Sequence, residues 1–215
     1  KTSERRWIWR KPIFRDVLTL CHTLTNLRIS DMARKAKQPR GKKMNPTFFV
    51  FCEGKTEAAY VDLLRRNFRV PIEIIARVSD SNISQPYIDR CKRERFTTNE
   101  DKTFLMFDLD VPGMLERLRK IKDAVLLLSN PCVEYWFLLH YKDVASELTS
   151  AECVARLKKL DAEYAKGTFS TPMKKKLIES IAEAANRAVA KVPYSNPSST
   201  VHLLTNEILK NVREQ

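Results

Sequence analysis

Phe48-Phe49-Val50-Phe51-Cys52-Glu53-Gly54-Lys55-Thr56 is the stretch that decides the fold. Its first five residues are apolar without a break, the mark of a strand buried on both faces rather than one with a wet side. The next four make a tight turn, and Glu57 through Phe68 has the spacing of a helix with Ala58, Tyr60, Val61 and Leu64 inward. Pro71 closes that helix, and Ile72–Val78 reads as a second strand. Working outward, 79–84 is loop and 87–96 a short basic helix. Thr103-Phe104-Leu105-Met106-Phe107 is another buried strand, ending at Asp108-Leu109-Asp110. A helix over 114–121, a strand over 124–128 and an aromatic helix over 132–141 follow. This alternation predicts an α/β fold with a parallel sheet flanked by helices.

Residues 147–215 read differently. One amphipathic helix is expected over 151–165 and one alanine- and lysine-rich helix over 172–191. A last helix opens at Asn196-Pro197-Ser198-Ser199-Thr200, with Val201, Leu203, Leu204, Ile208 and Leu209 on its apolar side. The C-terminal third is therefore a helical appendage packing back on a core of residues 47–146. Ser129-Asn130-Pro131 and Ser195-Asn196-Pro197 both precede helices, and are read as ordinary capping with proline at the first helical position.

Charge divides the chain again. Residues 1–46 carry thirteen Lys/Arg against three acids, and the remainder carries 26 against 23, so the net charge of +13 is concentrated in an N-terminal arm. The arm is expected to be flexible and to meet phosphates, or else to be a solvated tail. Residues 1–31 show no sustained periodicity, while Met32 begins a run that resembles a native start. The expectation is that residues 1–31 take no part in the fold. No apolar run approaches a membrane span, and five widely spaced cysteines suit free thiols in a reducing compartment, so the protein is expected to be cytoplasmic.

Three acids stand where strands should end: Glu53 after the first, and Asp108 and Asp110 after the third. Ligands of open parallel sheets bind outside the carboxyl ends of the strands. Hard cations such as Mg²⁺ take oxygen ligands, typically one or two carboxylates completed by phosphate and water. The alternative is that these are loop acids and helix caps. Glu57 either caps its helix or adds a second metal acid beside Glu53. Glu134, inside an apolar helix, must find a partner, which makes it a further metal candidate. Lys55 is a candidate phosphate contact or a solvated lysine. His140 and His202 are candidate substrate contacts or structural histidines. A nucleotide-binding P-loop is disfavoured, because position 49, where its first glycine belongs, is Phe49. Zinc is disfavoured by the absence of any Cys-x-x-Cys pair. Tyr135, Trp136 and Phe137 read as core. The clusters Arg90-Lys92-Arg93-Arg95 and Lys174-Lys175-Lys176 are either a nucleic-acid track or solvated faces.

Four ordered motifs carry a resemblance. Phe-Cys-Glu-Gly-Lys-Thr-Glu at 51–57, Phe-Asp-Leu-Asp at 107–110, Ser-Asn-Pro-Cys-Val-Glu-Tyr-Trp-Phe-Leu-Leu-His at 129–140 and Asn-Pro-Ser-Ser-Thr-Val-His at 196–202 resemble the RloB family over about residues 45–212. That family is similar to Toprim-fold nucleases and is associated with bacterial restriction and phage-defence loci. The resemblance implies a Toprim-like sheet. It makes Glu53 the Toprim glutamate, for metal binding or acid/base work, and Asp108 and Asp110 the metal-binding Asp-x-Asp pair. The expected function is a nuclease dependent on Mg²⁺ or Mn²⁺, cutting DNA or RNA. The alternatives are a non-catalytic Toprim-like module acting with an ATPase partner, or a regulator that senses a small nucleotide.

Overall fold

A computed structural model describes residues 46–76, 78, 83–95 and 97–214. Residues 1–45, and with them the expectations on the basic arm, lie outside the described residues.

The sheet forms where the apolar runs are. Strands β1 (Phe48–Cys52), β2 (Ile72–Ile75), β3 (Lys102–Asp108) and β4 (Ala124–Asn130) are parallel, and β5 (Ser198–Ser199) is antiparallel on the edge of β4. The order is β2-β1-β3-β4-β5. Strand β1, second from one edge, is buried at all five positions, as its unbroken apolar run requires. Alternate residues feed two cores. Phe48, Val50, Cys52, Phe104 and Met106 join one apolar cluster; Phe49, Phe51, Leu105 and Phe107 join the other.

Helices cover both faces unequally. Helix α1 (Lys55–Phe68) and α4 (Val133–Leu139) lie on the first face, with α5 (Ser150–Leu160), α6 (Thr171–Glu179), α7 (Ile181–Val189) and α8 (His202–Glu214). Among the described residues, α2 (Gln85–Arg93) and α3 (Met114–Leu118) cover the second. The first cluster runs from Phe48 to Ile208 without a gap between the sheet and the C-terminal helices. No helix among the described residues is long and apolar enough to cross a membrane.

Several boundaries differ from the sequence reading for local reasons. The helix expected over 151–165 stops at Leu160, because Asp161 is extended (φ −142°, ψ 99°) and begins a turn that needs Gly167 at φ 81°. The helix expected over 172–191 is two, broken at Ser180 (φ −103°, ψ 18°), whose hydroxyl donates to the Lys176 carbonyl at 3.0 Å. A serine that bonds back into the preceding turn competes with the helix ladder. The two Asn-Pro motifs do not place proline at a first helical position. Both bonds are cis, α4 starts at Val133 after Cys132, and α8 starts at His202. The segments meet instead: Ser129 and Ser199 share a hydrogen bond of 3.0 Å, and Asn130 registers with Ser198.

Candidate functional site

The chain leaves β1 for β2 on one side and returns past β1 to β3 on the other, so the strand order reverses between β1 and β3. At such a switch point the loops part and open a crevice at the carboxyl ends. Glu53 follows β1, and Asp108 is the last residue of β3. The Glu53 N–H donates to the Met106 carbonyl at 3.1 Å, and the Asp108 N–H donates to Glu53 Oε2 at 3.0 Å. One strand end thus grips the other through the glutamate.

Gly54 caps α1, and its N–H donates to Glu57 Oε2 at 3.0 Å. A Cβ at position 54 would lie 2.8 Å from that oxygen, so any larger residue would push the Glu57 carboxylate aside. Glu57 therefore caps the helix. It is also 5% exposed, and burial, with Glu53 and Glu134 nearby, pushes it up to about 7 against the favourable pull of its backbone hydrogen bonds. Glu134 enters from the first turn of α4, is 1% exposed, and accepts from the Tyr164 hydroxyl at 2.8 Å.

These groups converge on Asp108. Burial holds its carboxyl well above the usual carboxylate range, and Glu57, Glu53, Glu134 and Asp110 each add to that. Its Oδ1 is buried without a hydrogen-bond partner among the described residues. Asp110 itself is exposed. The structure thus brings Glu53, Glu57, Glu134 and Asp110, all singled out in the sequence, close enough to Asp108 to press on its charge. Among the described residues, however, no three His, Cys, Asp or Glu side chains are arranged to grip one ion. The donor set is therefore a largely buried acidic cluster with exposed Asp110 at its edge, rather than a closed cage. It fits a hard cation held by one or two carboxylates with water and phosphate completing the shell, and does not fit a structural zinc.

The remaining candidates divide. Lys55 is exposed at the start of α1, with its stem against Gly167. His140 is wholly buried; its Nδ1 lies 3.0 Å from the Trp136 carbonyl and its ring packs edge-on against Trp136 and Tyr60. Burial lowers it to about 4. An uncharged ring without access to solvent gives the expectation of substrate contact no support. His202 is half-buried at the start of α8, and burial lowers its basicity too. Tyr135, Trp136 and Phe137 are all core. Of the first basic cluster, Arg95 is paired with Glu73 at 2.7 Å and Lys92 reaches Thr103 Oγ1 at 3.2 Å, while Arg90 and Arg93 line an open groove with Ser84, Pro86 and Tyr87. Lys174 and Lys175 are exposed, and Lys176 lies over the Tyr141 ring. Tyr164 is the site residue the sequence reading missed. Asp161 and Gly167 were the available signal that this stretch is a turn.

A family model described as RloB-like protein matches residues 48–208, well over half of the chain. No curated protein and no solved structure matches.

Proposed function

The chain belongs to the RloB-like protein family, and from that premise we propose that it is a Toprim-like nuclease of bacterial phage defence that hydrolyses phosphodiester bonds in DNA or RNA with Mg²⁺ or Mn²⁺. The observation that carries this reading is Asp108: a carboxylate at the switch point, tied to Glu53, pressed by four other acids and left with a buried oxygen that no group among the described residues satisfies. Such a cluster relieves its repulsion by taking a proton or a cation. Glu53 and Asp108 would hold the ion, with Asp110 and Glu134 as weaker ligands. A bound divalent ion supplies polarisation of the phosphate and a more acidic water. The protein supplies the rest: Glu53 fixes the Asp108 backbone, Glu57 holds the Gly54 N–H, and exposed Lys55 offers a phosphate contact.

A labelled DNA and bulk tRNA, each incubated with the protein in Mg²⁺, Mn²⁺ or EDTA, test this. Metal-dependent cleavage is expected, with Glu53→Gln and Asp108→Asn losing at least a hundredfold in rate while their circular dichroism matches wild type. Undiminished cleavage by both variants would remove the mechanism. The second reading, a non-catalytic nucleic-acid-binding module acting beside an ATPase partner, is favoured by the lack of a three-ligand group among the described residues. Binding of nucleic acid in EDTA with no cleavage under any metal would select it.

A further inference from the structure

Two of the candidate site residues, Glu134 and Lys55, come from different helices, and one short turn touches both. The turn joins α5 to α6. Asp161 Oδ1 accepts from the Glu163 N–H at 3.1 Å, the Asp161 carbonyl accepts from the Tyr164 N–H at 3.0 Å, and Ser170 Oγ donates to Asp161 Oδ2. Ala165 and Thr168 bridge across the tip. Phe169 packs edge-on against Phe137 of α4 at 5.2 Å and lies against the Tyr164 ring at 6.4 Å. The turn is therefore tied within itself and seated on the helix that carries Glu134.

Its contacts with these two residues are specific. Tyr164 is 2% exposed, and its hydroxyl holds Glu134 Oε1, which fixes the plane of a carboxylate that is itself 1% exposed. Three residues on, a Cβ at Gly167 would lie 2.8 Å from Lys55 Cγ and 3.3 Å from Lys55 Cβ. Gly167, at φ 81°, is thus both the residue the backbone requires and the gap into which the Lys55 stem fits. A turn serving only to connect two helices needs neither contact.

We propose that the turn from Asp161 to Ser170 is a clamp that completes the site, in which Tyr164 is a positioning residue for Glu134 and Gly167 seats Lys55 toward phosphate. The proposal rests on the nuclease reading. It adds that the C-terminal helical region, and not the sheet alone, sets metal affinity. Partners that orient first-shell ligands change metal affinity by about 10–100-fold when removed.

The test titrates Mn²⁺ into the full chain by electron paramagnetic resonance at a temperature where every variant is folded. It also measures binding of a labelled oligonucleotide in EDTA. Tyr164→Phe removes one oxygen; the expected result is Mn²⁺ affinity weakened about tenfold, with oligonucleotide binding in EDTA unchanged. Gly167→Ala is expected to weaken the oligonucleotide as much as Lys55→Met does, and to leave Mn²⁺ affinity alone. Were Tyr164 merely structural, Tyr164→Phe would lower the melting temperature and leave Mn²⁺ affinity at the wild-type value. That outcome overturns the clamp and spares the nuclease reading. A wild type that binds neither Mn²⁺ nor oligonucleotide overturns the nuclease reading, and the clamp with it.

Discussion

Glu57 shows what a single residue of this site costs and why sequence alone left its role open. In an unfolded chain it loses its proton near the ordinary 4.5, and in the folded protein near 7. Between those values the native state holds a proton that the unfolded state has given up, so stability falls as pH rises through that window. The full gap corresponds to roughly 3 kcal/mol. In metal-free buffer, Glu57→Gln should therefore gain in melting temperature over wild type at pH 8 and gain much less at pH 5. An equal difference at both pH values would mean that Glu57 is not strained by its neighbours. Glutamine can still accept the Gly54 N–H, so the comparison isolates the charge. The sequence placed Glu57 on the first turn of a helix and could not choose between cap and metal acid. The two alternatives are one position in space, which only the approach of Glu53 and Glu134 reveals. The positions of Glu53, Asp108 and Asp110 at or just past strand ends were legible because a strand end is a local event. Tyr164 was not, because its hydroxyl meets Glu134 across 30 positions of sequence.

At the scale of the element, the parallel strands were legible and the edge strand was not. Runs such as Phe48–Cys52 announce themselves by composition. Ser198–Ser199 has neither length nor apolar character, and it becomes a strand only because β4 offers it an open edge. Thr200 then fastens the C-terminal segment. Its N–H donates to the Leu128 carbonyl at 2.9 Å, and its Oγ1 accepts from the Leu128 N–H at 2.8 Å while lying 2.9 Å from the Leu126 carbonyl. Thr200→Val keeps the shape and leaves the Leu128 N–H without that partner, a loss of about 1–3 kcal/mol for a buried donor. Urea denaturation should show that loss as a lower midpoint with an unchanged slope, whereas Thr200→Ser should stay close to wild type. A Thr200→Val midpoint equal to wild type would show that β5 is an ornament of the sheet rather than a fastening. The split of the expected 172–191 helix belongs to the same scale. Alanine and lysine favour a helix throughout, and one serine hydroxyl bonded to Lys176 divides it.

Over the whole molecule, the sequence suggested a sheet core of residues 47–146 with helices added after it, and the packing argues for a closer dependence. Tyr135, Trp136, Phe137, Leu138 and Leu139 are each 0% exposed on a helix of seven residues. A helix apolar all round is stable only if it is covered on every side. The sheet covers one side of α4. Leu148, Cys153 and Leu157 cover another, followed by Tyr164, Phe169, Met173, Leu177, Ile181, Ala184 and Ala188, and these belong to the same cluster as Phe48 and Val50. Removing residues 147–215 would strip that cover and expose several aromatic side chains, each worth roughly 1.5–3 kcal/mol of burial. Against a total stability of about 5–15 kcal/mol, that loss is decisive. A fragment of residues 47–146 is therefore expected to bind a hydrophobic dye and to melt without a cooperative transition, as followed by far-ultraviolet circular dichroism. A sharp, reversible transition in that fragment would show that the sheet stands alone. The metal site could then be assembled without its clamp, and Mn²⁺ binding by the fragment at wild-type affinity would locate the whole of the site in residues 47–146.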